Sequence, residues 1–400
     1  MRNRSGENPS FAHLFAGSLS ELMHPPAAQI PFLDGLRAIA ILLVVSGHLS
    51  AKYASAYGPT IYSRLPFVAN GWIGVDLFFV LSGFFIGGQL WKELKRSGSV
   101  KVGRFMLRRG MRIWPLYYFI FVCVLLFSVT IGHAPRGYGW SDLVFLTNFH
   151  NRGLVEGSWS LCTEEQFYIV TPLALYFFAR HLRAVERCRP WLWMLLCLVP
   201  LLRAGLWVHF TGHFFVHDPA LFSPIYYSSV THCDGLIIGL IIANLWETRV
   251  KPTAKIVNPW SLVAIAVLVM AALHVLQKEI FDFSALAIFF GSLVWLGLQR
   301  RISVFNSRVF FWISRLSFGM YLNHEYMAPW VVEKVLPRMM FSHFHLLSNL
   351  LGVAILAIAS AAVALVTFCF VEHPFLQWRK IVMGGVSHAP AAGDFTAVTR

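Results

Sequence analysis

Residues 30–50, IPFLDGLRAIAILLVVSGHLS, are long and apolar enough to cross a bilayer, yet they hold Asp34, Arg37 and His48. These side chains can grip a phosphate, balance a charge and carry a proton. On an α-helix, Arg37 and His48 differ by only about 20° in direction and about 16 Å in height, and Asp34 lies about 40° from His48. All three share one face. A charge at the centre of a span costs roughly 2.5–3.5 kcal/mol on insertion scales, so such a face is expected to look into a bundle. A guanidinium pairs bidentately with phosphate. Imidazole is the side chain that titrates nearest neutrality. The stripe therefore suits a donor that is anionic at one end and reactive at the other, as coenzyme A is with its pantetheine arm. The blander reading places Arg37 snorkelling to one interface and His48 in the opposite headgroup region.

The rest of the chain must hold that stripe. Of its 400 residues 57% are apolar and 13% charged, with a mean hydropathy of +0.61, where a soluble domain carries about 25% charged residues. Apolar runs fall at 33–50, 71–91, 113–132, 166–180, 190–208, 230–246, 260–276, 283–298, 310–333 and 350–371. They predict an all-α integral membrane bundle of about ten spans. Placing the N-terminus in the cytoplasm puts most of the 33 Lys and Arg on the inner side, as the positive-inside rule asks. Both termini are then cytoplasmic: residues 1–29 form a tail with a short amphipathic helix near 10–23, 30–380 the membrane domain, and 381–400 a disordered tail. Net charge +14 is read as this asymmetry. No basic stripe with interleaved aromatics appears, so nucleic acid is not an expected partner. The six cysteines form no CxxC pair; no disulfide framework and no metal site is expected. His209, His213 and His217 recur at i+4 but lack a carboxylate or cysteine companion of defined spacing.

Further candidates follow from position. Arg108, Arg109 and Arg112 stand at the start of the third span, where free helix N–H groups and guanidinium groups would make an anion pocket. Arg112 is the better candidate because it abuts the apolar run, and Arg109 is grouped with it; the bland reading is ordinary positive-inside charge. Pro115 would sit in the first helical turn. Asp76, at the outer start of the second span, lies at about the depth of His48 and could accept from its other ring nitrogen, or cap or pair locally. Ser82 and Gly83 read as close-packing residues. Trp159 and Tyr168 are interfacial anchors or sugar-stacking platforms, and Glu165 is read as solvated. Asp234 and His324 either line an acceptor cavity or are satisfied core polar groups. Asp34 and Glu372 are structural support, Glu372 pairing with Arg37 or Arg315.

Seven stretches in order carry a family resemblance: Arg37-x10-His48, GWIGVDLFFVLSGFFIGG (71–88), RRGMRIWPLYY (108–118), GSWSLCTEEQFY (157–168), CDGLIIG (233–239), SRLSFGMYLNHE (314–325) and VEHPF (371–375). Over about residues 30–380 the chain resembles the membrane acyltransferase family 3, mostly bacterial O-acyltransferases. Some members are fused to an extracytoplasmic esterase-like domain, and none is expected within these residues. The resemblance implies acyl-CoA, with acetyl-CoA the first expectation, as cosubstrate. It also implies a carbohydrate of an envelope or secreted glycan, or its lipid-linked precursor, as acceptor, and the inner (cytoplasmic) membrane as the location. His48 would be the general base or a transient acyl carrier, Arg37, Arg109 and Arg112 would hold the donor, and Asp76 would orient. Glu164 aligns with the family acid in Trp-Ser-Leu-x-x-Glu and would bind acceptor hydroxyls or orient a base. Two alternatives stand: a multi-span transporter of a polar or anionic solute, for which intramembrane charge is equally apt, and an acyltransferase acting on a macrolide-like or lipid acceptor.

Overall fold

A computed structural model describes residues 11–23, 30–130, 139–150, 153–182, 185–214, 224–248, 259–299, 305, 307–339 and 344–384. All regular structure among them is helical. The principal helices are α1 (Phe11–Met23), α2 (Pro31–Tyr57), α3 (Ile73–Ser97), α4 (Val102–Thr130), α5 (Ser158–Leu182), α6 (Arg189–Thr211), α7 (Asp234–Glu247), α8 (Pro259–Gln299), α9 (Arg308–Trp330), α10 (His345–Thr367) and α11 (His373–Gly384). Six stretches are long and apolar enough to cross a membrane: Pro31–Tyr57, Ile73–Ser97, Val102–Thr130, Val185–Thr211, Ile280–Gln299 and His345–Met383.

Several expectations change here. The runs at 260–276 and 283–298, read as separate spans, share the single element α8; no Gly or Pro interrupts 260–290, and the polar residues at 277–282 do not break a helix by themselves. Helix α4 starts at Val102, well before the apolar run, so Pro115 lies inside it. Arg108, Arg109 and Arg112 are therefore in its second and third turns, and the free N–H groups of a helix start are not theirs. The motif GSWSLCTEEQFY, read as preceding a span, is the opening of α5 itself. Residues 381–384 continue α11, and the rest of the tail lies outside the described residues. So do His217 and several basic residues used for orientation, among them Lys251, Lys255, Arg300 and Arg301.

The chain divides into two compact units, one of Met1–Gly71, Leu107–Ala134 and Val304–Arg400, the other of Trp72–Met106 and Pro135–Ser303. In the first, α2, α9 and α10 pack against one another. Asp34 meets Ser314, and Tyr57 meets the Val332 carbonyl, so α2 and α9 run parallel. Ser50 donates to Asn349 at 3.1 Å, while Tyr53 lies 3.1 Å from His345, so α10 runs the other way. The fully buried Asn349 is satisfied from both sides, since it also donates to Thr60 at 2.9 Å. Helix α1 docks on the far end of the chain: Ser18 bonds His373 at 2.7 Å, and Lys380 and Gln377 donate to Glu21 at 3.0 and 2.9 Å. Partial burial pushes the Glu21 carboxyl up, but the Lys380 hydrogen bond and charge, with His373 and Arg315, outweigh it and hold the carboxyl below its usual range.

In the second unit α3 and α7 lie side by side and parallel along a seam of small residues. A Cβ on Gly83 would strike the Leu236 backbone, and one on Gly239 the backbone of Val80, Gly83 and Phe84. Such close approach is how helices associate where lipid removes the hydrophobic drive. The Trp91 indole donates to the Leu240 carbonyl at 3.1 Å across the seam. Because the obstacle is backbone and not a flexible side-chain end, Gly83→Ala should lower stability by about 1–3 kcal/mol, read as a lower melting temperature in detergent.

Candidate active site

His48 sits on α2, and the facing stretch of α9 supplies two groups to one edge of its ring. Its Nδ1 lies 2.7 Å from His324 Nε2 and 3.1 Å from Glu325 Oε1. The two imidazoles are within 16° of parallel with centroids 5.0 Å apart. With facing nitrogens at 2.7 Å, the rings meet edge to edge, close to the plane in which a ring hydrogen bond forms. The other carboxylate oxygen, Glu325 Oε2, lies 3.7 Å from Lys52, one helical turn beyond His48. Exposure separates the partners. The His48 side chain is 39% exposed and Glu325 14%, while His324 is 1% exposed and lies 2.7 Å, through Nδ1, from the Tyr321 carbonyl. The base candidate has an open edge and its neighbours are enclosed.

His48, His324 and Glu325 also place three ligand atoms within 4.8 Å. Two nitrogens on one tetrahedral zinc at about 2.1 Å would stand about 3.4 Å apart. The observed 2.7 Å is a hydrogen-bond separation, so the pair is spaced to share a proton.

Toward the start of α2 the stripe continues to face α9: Ser314 donates to Asp34 at 2.8 Å. Arg37 is half-buried on the same helix. Glu372 faces the charges of Arg112 and Arg315, and Arg315 faces Arg112, Glu21, Asp34 and Glu372. Of the two partners offered for Glu372, Arg315 is the one whose charge acts on it. Arg112 is exposed and Arg109 half-buried.

In the second unit Glu164 is held by two donors, Ser82 at 2.8 Å and the Tyr168 hydroxyl at 2.5 Å, one on each carboxylate oxygen. Ser82, read from sequence as a packing residue, is thus a carboxylate partner, and the buried Tyr168 is part of the same group. Tyr168→Phe removes one charged hydrogen bond and should lower stability by about 1.5–3 kcal/mol, measured by thermal unfolding. Glu165 is 1% exposed and not solvated, since α5 has already entered the packed bundle at that point.

Asp76 is enclosed and pairs through Oδ1 with His232 Nε2 at 2.9 Å, the local pairing that competed with a bond to His48. His232 in turn bonds the Tyr226 carbonyl at 2.7 Å through Nδ1. Asp234 is fully buried and spent on Arg203, at 2.7 and 3.0 Å, and on Ser284 at 2.5 Å. It is a satisfied core group and lines no opening. Trp159 packs against Tyr226, Tyr227 and His232, with centroids 4.5, 5.3 and 5.7 Å away. His324 belongs with His48. Sequence reasoning missed His232 and Glu325. His232 stands two residues before Asp234 in Thr-His-Cys-Asp, and Glu325 directly follows His324 in Asn-His-Glu.

The comparisons with known proteins agree with one another. Residues 30–369 match the family described as acyltransferase domain. The chain is 26% identical over 379 residues to the peptidoglycan O-acetyltransferase OatA of Listeria monocytogenes, covering 86% of this chain and 55% of that protein. It is 31% identical over 237 residues to the putative peptidoglycan O-acetyltransferase YrhL of Bacillus subtilis, covering 55% and 34%. To the O-acetyltransferase OatA of Staphylococcus aureus it is 28% identical over 242 residues, covering 56% and 36%. The chain thus spans about half the length of the first relative and about a third of the other two. No solved structure matches it.

Proposed function

The chain belongs to acyltransferase family 3, and from that premise we propose that it is a multi-pass membrane O-acetyltransferase. It takes an acetyl group from acetyl-CoA on the cytoplasmic side and passes it to a hydroxyl of a cell-wall glycan or its lipid-linked precursor. The acceptor class is suggested by the relatives, which are named for O-acetylation of peptidoglycan. The observation that carries the reading is the α2 stripe, turned toward α9 at Asp34 and again at His48, with the imidazole left open on one edge. Arg37, Arg109 and Arg112 hold the donor's phosphates, with the charge of Arg315 nearby. His48 removes the acceptor's proton. Glu164, fixed by Ser82 and Tyr168, is the candidate for binding acceptor hydroxyls. Asp76, committed to His232, supports its own unit.

An inner-membrane location with both termini cytoplasmic is part of this reading. Within the first unit α9 runs parallel to α2 and α10 antiparallel to it, so α9 and α10 would enter the membrane from opposite sides. Within the other unit, Arg203 meeting Asp234 and Arg189 meeting Asn244 make α6 antiparallel to α7, as fifth and sixth spans would be.

The test is transfer of labelled acetyl from acetyl-CoA by vesicles containing the full chain, with mass spectrometry of surface glycans from a deletion strain. Label on the glycan, and its acetyl mass missing from the deletion strain, is the expected result. Solute accumulation without acetyl-CoA and with no transfer would replace the enzyme by a transporter, and label on lipid or macrolide alone would change the acceptor.

A further inference from the structure

We propose that Glu325 and His324 are positioning residues that fix the tautomer of His48, with the proton on Nδ1 and Nε2 left as the reactive nitrogen. This rests on the acyl-transfer reading of His48 and goes further by naming which nitrogen acts and what aims it.

The argument is a proton count. His324 Nδ1 lies 2.7 Å from the Tyr321 carbonyl oxygen, which can only accept, so Nδ1 of His324 carries a hydrogen. A neutral imidazole has one N–H, and Nε2 of His324 is then a lone pair. That lone pair faces His48 Nδ1 at 2.7 Å, a distance at which two lone pairs repel, so the hydrogen between them belongs to His48. Were His324 doubly protonated, His48 Nδ1 would be the acceptor, and Glu325 Oε1 at 3.1 Å would then face that nitrogen with no hydrogen between them. The carboxylate rules that arrangement out. The Lys52 ammonium stands 3.7 Å from the other carboxylate oxygen, Glu325 Oε2. Both acceptors on α9 therefore call for the same His48 N–H, and no described residue bonds to His48 Nε2. Holding a base by its far nitrogen with a carboxylate is the logic by which an imidazole is aimed and its charged form stabilised.

The step balances. The acceptor oxygen forms its bond to the acyl carbon while its proton passes to His48 Nε2. The carbon–sulfur bond of the thioester breaks, and the leaving thiolate takes that proton, giving the ester, free thiol and neutral His48. Between these events the imidazolium holds its charge beside Glu325.

Full-length protein in vesicles, supplied with acetyl-CoA and a hydroxyl acceptor, tests this with three variants. Glu325→Gln keeps shape and an acceptor oxygen but removes the charge. Its kcat per folded molecule should fall roughly 10²-fold or more while KM for acetyl-CoA holds within about twofold, and Glu325→Asp should regain part of the loss. A merely structural Glu325 would lower the folded yield and leave kcat per folded molecule alone. Wild-type kcat in Glu325→Gln, with His48→Ala inactive, overturns the proposal and leaves the acyl-transfer reading intact. A wild-type rate in His48→Ala overturns that reading itself. Should Glu325→Gln not fold, methylhistidine at position 48 decides. A methyl on Nε2 should abolish transfer and one on Nδ1 should leave residual transfer; equal or reversed activities overturn the proposal.

Discussion

His48→Ala inserts and folds, yet transfers acetyl about 10³-fold more slowly than the wild-type chain, within the span that one general base contributes. The fold survives because this side chain is 39% exposed and the walls of α2 around it, Val44, Val45 and Leu49, are untouched. Its removal leaves the buried His324 Nε2 without the donor it now faces, a cost of about 1–3 kcal/mol. The melting temperature should therefore drop modestly while the rate collapses. That dissociation is the informative part, because a mutation acting through misfolding would lower both together. Rates must be expressed per folded molecule, by size-exclusion recovery of detergent-solubilised protein. A wild-type rate would remove His48 from the chemistry.

The largest loss of stability is expected at Arg203. Its guanidinium is fully buried, grips Asp234 with two nitrogens, and donates to Ser284 and to the Thr231 carbonyl at 2.8 Å. Arg203→Met strands the Asp234 carboxylate in an enclosed site, and breaking a buried pair from one side costs about 3–5 kcal/mol. The double variant Arg203→Met with Asp234→Leu removes both charges and should recover more than half of that, since well-packed apolar pairs often replace buried ion pairs without loss. Thermal unfolding of the wild type, of Arg203→Met and Asp234→Leu singly, and of the double variant checks this. Additive losses would mean that the two side chains do not act as a pair.

What could be read beforehand follows a physical line. Helices came through where apolar period and length speak for themselves. Asp34 and His48, aligned by 3.6-residue geometry alone, both meet α9. Helix starts did not come through. The apolar run of α4 begins near 113, but the helix begins at Val102, since arginines and lysines are good helix formers and carry no breaking signal. The same blindness split α8 at its polar middle. Partner choice was the other failure. Asp234 and Asp34 stood out within apolar runs, but their partners Arg203 and Ser314 lie 31 and 280 positions away, and no spacing rule connects them. For that reason Asp76 was left between His48 and a local partner, and its partner is the nearby His232: depth in the membrane is shared by many residues, whereas contact depends on packing.

The first unit is stitched from both ends of the sequence. His48 finds His324 across 276 positions, and Ser18 finds His373 across 355. During synthesis, then, α2 is born long before the helix that will shelter its polar edge. Until α9 emerges, Asp34, Arg37 and His48 must be tolerated by lipid, by the insertion machinery or by some temporary neighbour. A ribosome stalled after the second unit should leave an early segment that quality-control proteases recognise, and chains shortened ahead of α9 should be cleared from the cell instead of accumulating as inactive enzyme.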